Sequence, residues 1–219
     1  MVALLGWGTW VGLDLASVGQ VMIARPLVAG VVTGGILGDF QTGLMIGTTL
    51  ELFALEVLPF GAARYPDYGV GAVAAVATAA GAPGLLGLGM GVIVGLLVAL
   101  LGERAIQLVR ERTSVDVRRH LESIDAGDAA TIHRLHRRGL LRDGLRGLAL
   151  TALGLGLAIG TRFLPGPSVR GALLLTAAAV GIGLGTAGVG ALRIARDRRA
   201  GFPWLAVGLA AGAAWVFIR

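Results

Sequence analysis

The chain contains no cysteine and no lysine: all 19 basic residues of its 219 are arginine. Without thiols there is neither a disulfide framework nor thiol chemistry, and redox compartment cannot be read from the sequence. Charged residues make up 15% and aromatic residues 5% of the chain. No Walker loop, G-x-S-x-G elbow or H-E-x-x-H helix occurs, so nothing points to an enzyme that performs its own chemistry, and no cofactor is expected. The three histidines, His120, His133 and His136, all lie in one Arg-rich stretch without a partnering cysteine, a poor set for a metal. No basic region precedes the first apolar run, and Asp14 interrupts that run early, so it does not read as a cleavable leader.

What the chain has instead is apolar surface. Hydrophobic residues make up 55% and the mean hydropathy is +0.80, a balance that predicts an all-α polytopic membrane protein. Apolar segments fall at about 1–24, 26–38, 41–60, 69–101, 145–164, 171–192 and 202–218, against the ~20 residues one spanning helix needs. Pro26–Gly38 and Thr42–Leu55 are each too short to cross alone. Joined through Gly38-Asp39, they predict a re-entrant hairpin or a broken helix. Residues 69–101 are similarly interrupted at Gly81-Ala82-Pro83-Gly84. Two interrupted segments point to a transporter's substrate site, the alternative being a pair of kinked or tilted helices.

Charge supplies the orientation. Residues 1–100 carry Arg25 and Arg64 against Asp14, Asp39, Glu51, Glu56 and Asp67, a net of −3, whereas residues 101–219 carry a net of +9. Those arginines sit between apolar runs, which fits the positive-inside bias rather than a nucleic-acid surface. Three regions follow: a membrane region over 1–101, a cytoplasmic Arg-rich helical loop over 102–144 with a turn near Asp125–Asp128, and a second membrane region of about three helices over 145–219. The later cluster Arg193, Arg196, Arg198 and Arg199 returns to the cytoplasmic side, leaving the C-terminus outside.

Carboxylates within apolar runs need a reason, because burial in lipid costs a few kcal/mol even on lenient scales. On a helix, Thr48 lies one turn from Glu51, an acceptor–donor pair suited to polyol hydroxyls. Asp39 either serves such a ligand or caps a turn. Asp67, after Pro66, could cap the following helix, and Arg64 could pair with Glu56 or with Asp67.

The N-terminal third resembles the IIC membrane subunit of the mannose/fructose/sorbose class of the bacterial sugar phosphotransferase system. The resemblance rests on Arg25-Pro26-Leu27, Leu37-Gly38-Asp39, Thr42-Gly43, Ile46-Gly47, Thr49-Leu50-Glu51, Gly61-Ala62 and Pro66-Asp67, in the family's order, and returns faintly at Arg199–Phe202. It implies a permease subunit in the cytoplasmic membrane that pairs with a IID subunit in a larger oligomer. A soluble IIB protein, charged by IIA, would carry the phosphoryl group to the sugar. Carried over by position, Asp39, Glu51 and Asp67 are the expected sugar-binding or gate residues, with Thr48 and Gln20 as weaker candidates. Relatives usually extend further at the C-terminus, and the stretch RYPDYG is more aromatic and charged than in many of them. The alternatives are a non-transporting assembly or sensory subunit of an incomplete system and an unrelated ion-coupled carrier.

Overall fold

The computed structural model describes residues 1–56, 64–82 and 84–194, with isolated positions 203 and 207. Among these residues the chain is helical: α1 (Val2–Ala16), α2 (Pro26–Leu37), α3 (Phe40–Ala54), α4 (Tyr68–Ala79), α5 (Leu85–Arg119), α6 (Leu121–Asp125), α7 (Ala129–Gly160) and α8 (Val169–Ile194), with a 3₁₀ turn at Thr161–Phe163. Among the described residues, three helices are long and apolar enough to cross a membrane: Leu85–Arg119, Ala129–Phe163 and Val169–Leu192. Gly61-Ala62, Arg196, Arg198, Arg199 and the last apolar run, on which the C-terminal orientation depends, lie outside the described residues.

The break at Gly38-Asp39 closes a tight antiparallel hairpin of α2 and α3. Gly38 takes φ +76°, a left-handed conformation that costs glycine little, and ends α2. Asp39 then starts α3: its carboxylate accepts the Thr42 N–H at 3.0 Å and the Thr42 hydroxyl at 2.6 Å. Facing small-x-x-x-small pairs hold the two helices together, Gly30 and Gly34 against Gly43 and Gly47. A Cβ on Gly30 would lie 2.8 Å from the Gly47 Cα, and one on Gly34 would lie 2.8 Å from the Gly43 Cα.

The second break gives the same design. Helix α4 stops at Ala80, and α5 begins after Gly84 and runs back along it, with Gly71, Gly91 and Gly95 at the contact. Every residue of α4 from Gly69 to Ala79 is buried, against α1, α2, α3, α5 and α7. A helix of valine, alanine and glycine all round has no polar face to offer solvent, so it becomes the centre of the core.

The Arg-rich stretch consists of the far ends of α5 and α7, each continuous with a membrane helix through Leu101 and Gly144, joined by short α6. Its turn lies where the sequence placed it: Gly127 has φ +74° and Asp128 caps α7 through the Ala130 N–H. Along these Arg-rich ends, Arg142 of α7 pairs with Asp116 of α5 at 2.6 Å. The Arg142 guanidinium beside it holds the Asp116 carboxyl below the usual carboxylate range.

Candidate functional site

Where α1, α2 and α4 meet, a cavity of about 250 Å³ is lined by Asp14, Gln20, Met22, Arg25, Tyr65 and Tyr68 with their neighbours. These are the chain's two tyrosines, both in this cavity. It lies at the level where α5 and α7 pass from apolar to Arg-rich sequence: the Asp67 N–H bonds the Ala99 carbonyl of α5 at 2.9 Å, and Gly102 abuts Asp67. That is the end the positive-inside bias of the sequence leads one to expect on the cytoplasmic side.

One wall is the loop between α1 and α2, which is bent against its preferences. Gly19, Gln20 and Met22 take φ of +100°, +49° and +68°. Non-glycine residues in this region cost free energy and persist only where the surroundings enforce them. The enforcing group is Asp14, buried on the last turn of α1, whose two carboxylate oxygens accept the Val21 N–H at 2.7 Å and the Ala24 N–H at 3.0 Å. A Cβ on Gly19 would stand 2.8 Å from the Asp14 Oδ1, so the carboxylate also needs glycine there.

The floor is set by Arg25 and Glu51. Arg25 lines the cavity and forms an ion pair with Glu51 of α3, whose other oxygen accepts the Leu27 N–H at 3.1 Å. Glu51 therefore sits at the N-terminus of α2, where a negative charge meets the helix dipole, and fixes both the hairpin and the arginine. Arg110 of α5 donates to the hydroxyl of the lining residue Tyr65 at 3.1 Å, its guanidinium 5.4 Å from the ring centre.

Beside the cavity lies a buried charge network. Arg146 of α7 is 6% exposed and donates from three nitrogens: Nε to Asp143 at 2.6 Å, Nη1 to Asp67 at 2.6 Å, and Nη2 to the Gly12 carbonyl at 2.7 Å. The second Asp143 oxygen accepts the Ser17 hydroxyl at 2.5 Å. Asp67 also caps α4 through the Val70 N–H. The network thus grips both sides of the cavity, at Ser17 where the bent loop leaves α1 and at Asp67 between Pro66 and Tyr68.

Of the five residues singled out from sequence, Gln20 lines the cavity, Glu51 lies behind Arg25, and Asp67 lies behind the tyrosines. Asp39 caps the far end of α3, about 18 Å along the helix from Glu51 at 1.5 Å per residue. Thr48 is exposed on the turn before Glu51, whose oxygens are engaged by Arg25 and Leu27. Among the described residues Asp67 pairs with Arg146 of α7, a partner not among those weighed from the sequence. Arg146, two residues past the Arg-rich loop, is a core residue. Sequence reasoning passed over Asp14, Tyr68 and Arg146 as site residues. An acid inside the first apolar run and both tyrosines within RYPDYG were the available signals.

The cavity offers amide, guanidinium and phenol groups beside aromatic faces, a set able to donate to and accept from several hydroxyls of one small polar ligand. A family model described as the sorbose-specific IIC component of the phosphotransferase system matches residues 1–165. The chain is 31% identical over 137 residues to the mannose-specific EIIC component of Escherichia coli K12, covering 63% of this chain and 50% of that protein. It is 37% identical over 131 residues to the sorbose-specific EIIC component of Klebsiella pneumoniae, covering 59% and 47%. With the fructose permease IIC component of Bacillus subtilis the identity is 33% over 122 residues, covering 56% and 45%. The chain thus spans about half the length of the curated relatives it matches. Its fold is similar to a chain of the mannose transporter ManYZ–microcin E492 complex, with TM-score 0.62 and 24% identity over 97% of this chain and 85% of that one. A second solved membrane protein gives TM-score 0.71 at 20% identity, over the same shares. The chain belongs to the sorbose-type IIC family of the phosphotransferase system, as a multi-pass protein of the bacterial cytoplasmic membrane.

Proposed function

We propose that this chain is the subunit that binds a hexose-type sugar within the membrane and passes it to the cytoplasmic face, where partner proteins phosphorylate it. The observation that carries the reading is the cavity at the cytoplasmic end of the interrupted helices, lined by Gln20, Arg25, Tyr65 and Tyr68 and bounded by a loop held in unfavourable backbone conformations. Gln20 supplies an amide that both donates and accepts, and the tyrosines supply phenols and apolar ring faces for the sugar. Glu51 acts through Arg25, and Asp67 through the tyrosine-bearing segment it anchors. Asp39 belongs to the hairpin tip, where a gate would stand, and Thr48 to the outer face of α3. The chain binds and conducts, while the phosphoryl donor is a histidine of a separate IIB protein supplied by IIA. A IID subunit completes the pathway in the membrane within a larger oligomer.

The test is phosphoenolpyruvate-dependent phosphorylation of a panel of hexoses and amino sugars. Membranes containing this chain, with and without its IID partner, are supplied with the soluble phosphotransferase proteins. Phosphorylation that requires both membrane subunits and falls on Gln20→Ala supports the reading. A verified, assembled pair that phosphorylates no sugar overturns it in favour of an assembly or sensory role.

A further inference from the structure

Arg110 takes no part in the sugar contacts proposed above, yet it decides what one of them can do. It lies on α5 eight residues past Gly102, about 12 Å further along the helix at 1.5 Å per residue. It stands behind Tyr65 rather than in the lining of the cavity.

Tyr65 is held at both ends. Two residues on, Asp67 is fully buried, bonded to Arg146 and, through its N–H, to the Ala99 carbonyl. Pro66 between them restricts the Tyr65 backbone to extended conformations. At the far end of the side chain the Arg110 guanidinium donates to the phenol oxygen at 3.1 Å and lies 5.4 Å from the ring centre, within reach of a cation–π attraction. Backbone and hydroxyl are both anchored, so the ring keeps one face and one edge toward the cavity.

The bond from Arg110 also has a direction. A guanidinium carries five donors and no acceptor, so the phenol oxygen can only accept from it. The phenol's own proton is not used in that contact, and among the described residues no acceptor is bonded to it. Tyr65 therefore presents a donor to an occupant of the cavity, its polarity set before the occupant arrives. Consecutive hydrogen bonds polarise one another, so the pull of Arg110 on the oxygen strengthens that donor. Gln20, whose amide both donates and accepts, imposes no such direction.

We infer that Arg110 is a positioning residue for the sugar site: through Tyr65 it sets a hydrogen-bond donor against one hydroxyl oxygen of the sugar. The inference rests on the sugar-binding reading above. It adds that one ligand hydroxyl must accept at Tyr65, which makes Arg110 a determinant of specificity without touching the ligand.

The test measures phosphoenolpyruvate-dependent phosphorylation by membranes holding the full chain and its IID partner with the soluble phosphotransferase proteins. Glucose, mannose, fructose and sorbose are supplied first, then the monodeoxy and deoxyfluoro forms of the sugar that is phosphorylated. Fluorine accepts weakly and cannot donate, whereas hydrogen does neither. In the wild type one ring position tolerates fluorine better than hydrogen. Tyr65→Phe and Arg110→Gln each raise KM about 2- to 12-fold, the worth of one hydrogen bond, with kcat near wild type, and both abolish that fluorine preference. The double variant Arg110→Gln/Tyr65→Phe loses no more than Tyr65→Phe alone, because the two act as one unit. Arg110→Lys, again a donor without an acceptor, recovers most of the KM. Arg112→Gln, which removes the same charge from an exposed position of α5, keeps the fluorine preference. Tyr65→Phe with the wild-type KM and preference would overturn the inference. So would Arg110→Gln keeping both while Tyr65→Phe loses them, or losses that simply add in the double variant. An assembled wild-type pair that phosphorylates none of the sugars would give a different result, removing the sugar reading and this inference with it.

Discussion

Replacing Arg146 with methionine removes the guanidinium from a buried cluster that also holds Asp67, 0% exposed, and Asp143, 2% exposed. Methionine retains most of the volume, so the loss is electrostatic rather than a cavity. Two carboxylates are left without their guanidinium, and the Gly12 carbonyl without its donor. Breaking a buried pair by deleting one partner costs about 3–5 kcal/mol. For a chain of this size, at about 2–4 °C per kcal/mol, that is a fall of roughly 6–20 °C in Tm. The pattern across variants is more telling than the size. Asp67→Asn and Asp143→Asn each leave Arg146 one charged partner and should destabilise less than Arg146→Met. Arg146→Met/Asp67→Asn should recover about 0.5–3 kcal/mol relative to the sum of the single changes. Arg146→Lys should fall between, since an ammonium cannot reproduce three directed bonds from Nε, Nη1 and Nη2. Thermal unfolding in detergent, followed by size-exclusion chromatography, reads all of these. An Arg146→Met protein melting with the wild type, or an Asp67→Asn protein melting below it, would refute the reasoning.

Other expectations follow from single contacts. Gly43→Ala places a Cβ 2.6 Å from the Gly30 carbonyl oxygen and should prevent the α2–α3 hairpin from closing, with loss of monodisperse protein. Gly35→Ala, with nothing within 4 Å, should be tolerated. Gln20→Ala should raise the sugar KM by about 2- to 12-fold, the worth of one hydrogen bond, with assembly unchanged on a native gel. Asp14→Asn leaves two oxygen-directed N–H groups with one acceptor, and should lower sugar phosphorylation more than it lowers Tm. Because Arg142 depresses the Asp116 carboxyl, the unfolded chain takes up that proton more readily than the folded one. The pair's contribution is therefore present at neutral pH and lost as the pH falls below the ordinary carboxylate range. The wild type should lose Tm over that window relative to Asp116→Asn, and parallel pH profiles would count against the pair.

Local chemistry was legible in the sequence. Gly38-Asp39 and Gly127-Asp128 each place a glycine next to a capping acid, and both breaks lie there because the signal needs no distant partner. The short lengths of α2, α3 and α4 were legible for the same reason. Tertiary choices were not. Glu51 sits one turn from Thr48 in any helix, yet Arg25 takes the carboxylate from 26 residues away. Arg146 shares a basic stretch with Arg138 and Arg142, and only the packing of α7 on α1 and α4 turns it inward while Arg138 faces out. The cavity joins Gln20 to Tyr65 and Tyr68 across two helices and a hairpin, a juxtaposition no spacing rule contains.

The shortness of α2, α3 and α4 also bears on how the protein enters the membrane. At 12, 15 and 12 residues, none could leave the insertion machinery for lipid as an independent spanning helix. Each has to be released with a neighbour, α2 with α3 and α4 with α5, so the glycine contacts and the Asp39 cap must form while the chain is still sheltered. Those glycines then do more than hold the finished structure. They set the order of assembly, in which hairpins rather than helices are the units handed to the bilayer, and α4, apolar on every face but too short to span, is enclosed by its neighbours.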